Sequence, residues 1–272
     1  MILVTGATGN VGRHVVNALV DAGAEVRALS RDPGTAGLPK SVEVAETDAL
    51  RLDGVTALFL HPAMVRKGAG ALLKKAADEG VRRIVALSSA AALDDDPGNA
   101  IAVHHRTLEQ EIEESGLQWT FVRPGAFASN TLQWAEQIRS SGVVRAPYGR
   151  AGIAPVDERD IADVAARALL NDDLVGARPV LTGPESVTQI EQVRLIGEAI
   201  GRPLRFEEIT PEVAREKMVG GHMPPAAADT LLRMMADFED RPAEVSPAVE
   251  QITGRPPRTF AHWAADHAGD FR

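Results

Sequence analysis

The sequence predicts an α/β fold: a Rossmann-type, doubly wound parallel sheet followed by a smaller C-terminal part. Short apolar runs alternate with amphipathic helical stretches through the first half of the chain, as in successive β-α-β units. A glycine-rich loop directly follows the first apolar run, as the first strand-to-helix turn of such folds requires. The composition, 44% hydrophobic and 25% charged, is typical of a globular protein and excludes disordered and fibrous classes.

The spacing of apolar residues places the elements in order along the chain. It predicts strands at 2–5, 25–29, 42–45, 57–60, 83–88 and 119–123. Helices are predicted between them at 11–22, 68–79 and 101–115. Beyond residue 125 the alternation fades, and helices at 158–170 and 188–200 flank a short strand at 180–182.

The glycine-rich loop runs Thr5-Gly-Ala-Thr-Gly-Asn-Val-Gly12, between the first strand and the first helix. Gly6 allows the tight turn, Gly9 lets the backbone approach a pyrophosphate, and Gly12 lets helix and strand pack closely. The start of the helix offers unpaired N–H groups to the phosphates. We therefore predict a dinucleotide site that contains this set of loop residues: Gly6, Thr8, Gly9, Asn10, Val11 and Gly12.

The end of the second strand indicates which dinucleotide binds. An NAD site usually has an acidic residue there, which accepts hydrogen bonds from the ribose 2′-hydroxyl. This strand instead ends with Ser30 and Arg31, a hydroxyl and a guanidinium that suit a 2′-phosphate. Arg13 is a further candidate for the same phosphate. The sequence therefore predicts NADPH rather than NADH as the cofactor.

The chain divides into two parts on these grounds. Residues 1–125 are predicted to form the Rossmann dinucleotide-binding core. Residues 126–272 form a mixed C-terminal part, in which 150–182 return to the sheet and 183–272 cover the substrate site. Met and Phe side chains in this last region form either an apolar wall over an aromatic substrate or the core of a small domain.

Charge and cysteine content exclude several partners. The chain has 38 Asp and Glu against 29 Lys and Arg, a net charge of −9, with no basic cluster, which argues against nucleic acid. It has no Cys, which excludes disulfides and thiolate chemistry. Neither a signal peptide nor an 18-residue apolar stretch is present, so we expect a cytoplasmic protein with no membrane partner. A homodimer stays open.

Several further motifs resemble the NmrA-like group of atypical short-chain dehydrogenases, which includes NADPH:quinone oxidoreductases and redox-sensing regulators. The motifs are the glycine loop, Asp48, Ser88-Ser89, Ser115-Gly-Leu-Gln-Trp-Thr-Phe-Val-Arg-Pro-Gly125, Pro155-Val-Asp-Glu-Arg-Asp-Ile-Ala162, Thr182-Gly-Pro-Glu185 and Thr253-Gly-Arg-Pro-Pro-Arg-Thr-Phe260. They extend over nearly the whole chain and are specific for the family rather than for one activity.

The resemblance implies roles for individual residues. Asp48 would meet the adenine, and His61 and Pro62 would line the cofactor ribose. Flanking the nicotinamide would be Pro124, Gly125 and Phe127, and Asn130 would lie near the substrate mouth. Two simpler interpretations stay open: Asp48 caps a turn, and Phe127 belongs to the core.

The Tyr–Lys pair of standard short-chain dehydrogenases is absent. In those enzymes a Tyr donates a proton and a Lys four residues later lowers its pKa. The corresponding positions here, counted back from Ser115 and Glu109, hold Ile101 and His105. The single Tyr, Tyr148, has no Lys after it until Lys217. Reduction of a simple ketone would lack its general acid, whereas a quinone needs little such help, because hydride transfer yields a stable hydroquinone anion.

Three residues remain as candidates for proton delivery or substrate contact. His105 is predicted to face inward, with Glu109 one turn later holding its ring. Ser88 and Ser89 are predicted near the nicotinamide at the carboxyl end of their strand. Each has a structural interpretation as well: a core histidine, and a closed strand-end turn. No spacing favours a metal site, and the run from Asp94 to Asp96 is expected to be a solvated loop.

These observations favour an NADPH-dependent oxidoreductase that passes a hydride to a quinone-like or polycyclic aromatic acceptor. Two alternatives stay open. One is a non-catalytic NADP(H)-binding redox sensor, and the other is a tailoring reductase or oxygenase of aromatic polyketide biosynthesis.

Overall fold

A seven-stranded parallel sheet forms the centre of the protein in a computed structural model that describes residues 1–65 and 68–272. Its strands are β1 (Ile2–Val4), β2 (Val26–Ser30), β3 (Glu43–Glu46), β4 (Ala57–Leu60), β5 (Arg83–Leu87), β6 (Gln118–Pro124) and β9 (Val180–Leu181). They lie in the order β3-β2-β1-β4-β5-β6-β9. The strand order reverses beside β1, and ligands of open parallel sheets bind at such a point.

Helices cover both faces of this sheet, each through its apolar stripe. On one face pack α1 (Gly12–Asp21), α5 (Glu158–Leu170) and α9 (Ala248–Thr253). On the other face pack α2 (Gly70–Asp78) and α3 (Ala100–Glu114). Because both faces are covered, β1, β2, β4 and β5 are buried along their whole length, whereas the edge strand β3 is partly exposed. The predicted Rossmann-type α/β fold is confirmed.

A second core lies in the C-terminal part. It contains α4 (Ala135–Ser141), α6 (Gln189–Ile200) and α10 (Phe260–Asp266) around the buried aromatic side chains of Trp134, Phe260, Trp263 and Phe271. Two small strand pairs accompany these helices: β7 (Val143–Ala146) with β11 (Arg205–Glu208), and β8 (Gly152–Ile153) with β10 (Val187–Thr188). Between these elements the chain returns to the main sheet, where β9 pairs with β6.

The remaining helices, α7 (Pro211–Gly220) and α8 (Pro225–Asp237), form a hairpin that packs on α3 through α8. An ion pair between Arg233 and Asp96, at 3.8 Å, adds to this contact. The methionines of the hairpin, Met218, Met223, Met234 and Met235, all keep some exposure to solvent. They are therefore not core residues.

Among the described residues, no helix is long and apolar enough to cross a bilayer.

Candidate functional site: a dinucleotide cleft at the carboxyl edge of the sheet

The glycine loop folds as a tight turn that only glycine permits at two positions. Gly6 has a φ of +62°, and a Cβ there would lie 3.0 Å from the Cβ of His61. At Gly12 a Cβ would lie 2.1 Å from the carbonyl oxygen of Gly6. The turn is closed by a 3.0 Å hydrogen bond from the N–H of Gly9 to that same oxygen. A side chain at Gly12 would displace the backbone of the loop, and one at Gly6 would be strained by the positive φ and would crowd His61.

The loop presents its backbone to solvent at the start of α1. Thr8, Gly9 and Asn10 are exposed, whereas Val11 and Gly12 are buried against the core. The first N–H groups of a helix carry a partial positive charge and lack partners within the helix. An exposed, closely packed glycine turn at this place fits the pyrophosphate of a dinucleotide, because the phosphates can approach the backbone directly.

A cleft opens beside the loop at the end of β2, and we call it the β2 cleft. It is lined by Thr8, Arg13, Ser30, Arg31, Asp32, Thr35 and Ala36. The Arg13 guanidinium donates to the carbonyl oxygens of Gly37 at 2.9 Å and Ala36 at 3.3 Å. Arg13 thus fixes the cleft wall. The exposed Arg31 side chain has no hydrogen bond or ion pair to any residue in 1–65 or 68–272.

Ser30 has a different environment from the one that its sequence position suggested. Its hydroxyl donates to the carbonyl oxygen of Asp32 at 2.9 Å and accepts from the N–H of Asp32. The Asp32 carboxylate in turn accepts from the N–H of Gly34 and the hydroxyl of Thr35. The serine proton is therefore used within the turn, and Ser30 shapes the β2 cleft instead of donating to a ligand in it. The Asp-Pro-Gly sequence at 32–34 is the local signal for this turn.

The neighbouring strands β3 and β4 bring two more candidates to the same edge of the sheet. Asp48 is exposed in a short 3-10 turn directly after β3. His61 follows β4, where its N–H donates to the Thr5 hydroxyl at 2.7 Å and its Nδ1 accepts from the N–H of Ala63 at 3.1 Å. Pro62 opens the next turn. His61 thus lies against the glycine loop, next to Gly6.

A buried polar cluster marks the ends of β5 and β6, and we call this region the β5–β6 edge. The Glu109 carboxylate, from α3, accepts from Arg123 Nε at 2.9 Å, from Arg123 Nη2, and from the Ser88 hydroxyl. The predicted contact of Glu109 with the His105 ring is wrong, because Arg123 and Ser88 occupy the carboxylate. Ser88 is buried and its hydroxyl donates its hydrogen bond to Glu109, so it is not placed to donate to a substrate.

Ser89 and the residues after β6 lie closer to solvent. The Ser89 hydroxyl accepts from the N–H of Ala91 and caps a short 3-10 helix. Pro124 is buried at the end of β6, and the N–H of Gly125 bonds to Leu181 in β9. Phe127 is half-buried and packs on the core, in line with its simpler interpretation.

His105 occupies the position of the family lysine, on the inner side of α3. Burial, with smaller contributions from the charges of His104 and His61, lowers its pKa to about 4, and Glu109 opposes the shift. Its Nδ1 is buried and has no hydrogen-bond partner among the described residues. The ring is therefore neutral at physiological pH, and it offers at most a neutral N–H or a lone pair to a bound molecule.

Sequence reasoning missed the segment that joins the glycine loop to the C-terminal part. Ser129 accepts from the Asn10 amide at 3.3 Å, and its N–H donates to the buried carboxylate of Glu158 at 2.9 Å. The second oxygen of Glu158 accepts from the Trp263 indole at 3.0 Å. Asn130, the next residue, is exposed at the same place. These partners are 29 to 119 positions apart, so no local pattern indicates them.

Residues 1–65 and 68–272 contain no group of three or more His, Asp or Glu side chains that could hold a metal ion. The acidic residues at 94–96 have partners of their own. The Asp94 carboxylate accepts from Asn99 and from the N–H of Asp96, while Asp95 pairs with Arg106 and Asp96 with Arg233.

Comparison with known proteins agrees with a dinucleotide site. Residues 6–172 match the model of the NAD(P)H-binding family. A (4-alkanoyl-5-oxo-2,5-dihydrofuran-3-yl)methyl phosphate reductase of Streptomyces griseus is 43% identical over all of this chain and 99% of its own length. An NAD(P)H azoreductase of Xenophilus azovorans is 36% identical, over 100% and 99% of the two chains.

Solved structures share the fold at lower identity. An NADPH-dependent quinone oxidoreductase from Escherichia coli, complexed with NADPH, superposes with a TM-score of 0.80 at 23% identity, over 98% of this chain and 99% of that one. A triphenylmethane reductase from Citrobacter superposes with a TM-score of 0.79 at 18% identity, over 98% and 100%. The matched family and the full-length reductase relatives show that this chain belongs to the NAD(P)H-binding family, as an NmrA-like atypical short-chain dehydrogenase that acts as an NAD(P)H-dependent reductase.

Proposed function

We propose that the protein is an NADPH-dependent reductase that passes a hydride to an electron-poor, conjugated acceptor. One observation carries this proposal: the position of the family's cationic lysine holds a half-buried histidine that is neutral at pH 7, and the tyrosine position holds Ile101. A site with no placed acid favours acceptors that stabilise the incoming electron pair themselves.

The residues divide the work of holding the cofactor. When bound, the reduced nicotinamide supplies the hydride. The backbone of the glycine loop and the start of α1 hold the pyrophosphate. Arg31 meets the 2′-phosphate across the β2 cleft, within a wall that Arg13 and the turn after Ser30 keep in shape. Asp48, exposed in the turn after the neighbouring strand β3, meets the adenine.

The β5–β6 edge holds the reacting end. His61 and Pro62, which follow β4, line the ribose, and Pro124, Gly125 and Phe127 flank the nicotinamide. His105 offers a neutral ring to the ribose or to the acceptor. Ser89 and Asn130 lie at the mouth on the acceptor side. The acceptor gains two electrons and one hydrogen from the cofactor, and water supplies the second proton after the charge has spread over the conjugated system.

The reductases named among the relatives support this acceptor class. An azo group, a quinone and an acylated unsaturated lactone share a conjugated, electron-poor π-system, although their shapes differ. We place the acceptor of this protein in the same chemical class, and the α7–α8 hairpin, which packs on α3, is the part of residues 183–272 that covers it.

An acceptor panel tests the proposal. The purified protein is incubated with NADPH and, in turn, a naphthoquinone, an azo dye, an acyl butenolide and cyclohexanone as the simple ketone. We expect NADPH oxidation with at least one conjugated acceptor and none with cyclohexanone. Tight NADPH binding without oxidation by any conjugated acceptor, or a preference for the ketone, would refute it.

A further inference from the structure

Glu109 is a buried charge in the middle of an otherwise apolar helix face. Its side chain is 6% exposed and that of its partner, Arg123, is 11% exposed. The residues on either side of it along this face, Leu108 and Ile112, belong to the apolar core under the sheet. A carboxylate at such a position is costly to bury unless it is paired and hydrogen-bonded, and Glu109 is both.

Stability alone does not account for this arrangement. Apolar residues of similar volume usually serve a core as well as a buried ion pair or better. The pair instead adds a defined geometry. Arg123 donates two hydrogen bonds and Ser88 a third, and together they fix the position and orientation of the Glu109 carboxylate.

The cluster of Ser88, Glu109 and Arg123 connects three elements, β5, α3 and β6. In each element, a residue of the proposed nicotinamide site lies close to the member of the cluster. Ser88 stands beside Ser89 at the end of β5. Glu109 lies one helical turn after His105 on α3, so both side chains face the same way. Arg123 immediately precedes Pro124 and Gly125 at the end of β6.

We propose that Glu109 is a positioning residue for hydride transfer. Its hydrogen bonds to Arg123 and Ser88 fix the position of α3 relative to the ends of β5 and β6. This position sets where His105 and Gly125 meet the nicotinamide. This inference rests on the proposed function. The effect passes through the protein scaffold, since the buried Glu109 carboxylate accepts its three hydrogen bonds from Arg123 and Ser88.

The variant Glu109→Gln tests it, because glutamine keeps the shape but cannot balance the Arg123 charge. We expect kcat with the best acceptor to fall by about 10- to 100-fold, the cost typical of a small misplacement of reacting groups. The dissociation constant of NADPH should change less than twofold, because the glycine loop and the β2 cleft are untouched. Ser88→Ala keeps the ion pair and should give a smaller decrease.

Glu113→Gln is the matched control. Glu113 lies one turn later on the same helix and forms an exposed ion pair with Arg178. Its loss should leave kcat and NADPH affinity unchanged. A lower melting temperature for Glu109→Gln with wild-type kcat would show a purely structural role and overturn the inference. If Glu109→Gln does not fold, Arg123→Lys, which keeps the charge but loses the fork, takes its place with the same expectation.

A readout that does not need turnover separates this inference from the proposed function. The fluorescence of bound NADPH reports the surroundings of its nicotinamide. We expect Glu109→Gln to shift this emission while the dissociation constant holds, and Glu113→Gln to leave both unchanged. A shift in a protein that oxidises no NADPH would preserve the positioning role and refute the acceptor proposal, whereas unchanged emission would refute the positioning role.

Discussion

The two ends of the cleft are built in opposite ways. The β2 cleft is exposed, and its Arg31 has no partner among the described residues. The β5–β6 edge is buried and its charges are paired within the protein, Glu109 with Arg123. One end thus keeps a charge available for a ligand, whereas the other uses its charges to hold its own geometry.

This difference separates affinity from reactivity. An exposed guanidinium and a glycine turn can bind phosphates with little structure around them. A reacting pair must instead be held to within a fraction of an ångström, which requires a packed and fully hydrogen-bonded surround. We therefore expect changes at the β2 cleft to alter binding, and changes at the β5–β6 edge to alter rate or pH behaviour.

The largest effect is expected from Gly12→Ala, which breaks the turn that both ends share. The added Cβ would lie 2.1 Å from the Gly6 oxygen. Because this oxygen belongs to the backbone, the clash cannot be relieved by a side-chain rotation. The loop must shift to relieve this contact, which displaces the N–H groups that face the pyrophosphate. We expect NADPH affinity to fall roughly 100-fold in calorimetric titration, equivalent to about 2.7 kcal/mol. Gly70→Ala is the control, since no atom of residues 1–65 or 68–272 lies within 4 Å of its added Cβ. Wild-type affinity in Gly12→Ala would contradict the glycine-loop site.

At the β5–β6 edge, His105 should make the free energy of unfolding depend on pH. Burial lowers the pKa of His105 from 6.5 to about 4. Below pH 6.5 the unfolded chain takes up a proton that the folded chain refuses, so this contribution to stability is complete above pH 6.5 and is lost as the pH falls toward 4. Between pH 7.5 and 5, wild type should lose about 2 kcal/mol more free energy of unfolding than His105→Gln.

Urea unfolding at each pH measures this difference. The exposed His222, whose charge does not act on His105, provides the control, because His222→Asn should follow the wild-type curve. Parallel curves for wild type and His105→Gln would mean that the ring is protonated at its ordinary pKa.

The exposed end is tested by Arg31→Ala. Loss of one charge-assisted contact to the 2′-phosphate, at an exposed site, should weaken NADPH binding about tenfold. Binding of NADH, which lacks that phosphate, should not change. Arg82→Ala removes an exposed arginine at the opposite edge of the sheet and should affect neither cofactor. Equal weakening of NADPH and NADH by Arg31→Ala would argue against a 2′-phosphate contact.

The smallest effect, about threefold, is expected for Ser30→Ala. If the hydroxyl only shapes the turn through Asp32, NADPH and NADH binding should weaken by the same factor. A loss confined to NADPH would instead restore the direct phosphate contact that the sequence suggested.

The sequence predicted what depends on local chemistry. The glycine turn, the positions of the first six strands along the chain and the helices α3 and α5 follow from periodicity and from the conformations that glycine alone adopts. The pairing of Glu109 with Arg123 was missed, because the choice between His105 and Arg123 depends on how α3 sits on β6. Only an assembled sheet decides that choice.

The C-terminal part was the least predictable for the same reason. Glu158 meets Trp263 across 105 positions, and the α7–α8 hairpin is placed by contacts with α3 that no local pattern encodes.

At Glu109, by contrast, the sequence did contain a signal, since a carboxylate between Leu108 and Ile112 on an apolar face indicates a buried partner.

The central claim is that hydride transfer here proceeds without a protein acid that titrates near neutrality. Stopped-flow single turnover of the NADPH complex with a naphthoquinone, from pH 5.5 to 8.5, tests it directly. We predict a rate constant for NADPH oxidation that is independent of pH across this range, in wild type and in His105→Gln. A rate that falls with an apparent pKa between 6 and 7, and loses that dependence in His105→Gln, would contradict the account and make His105 the proton donor.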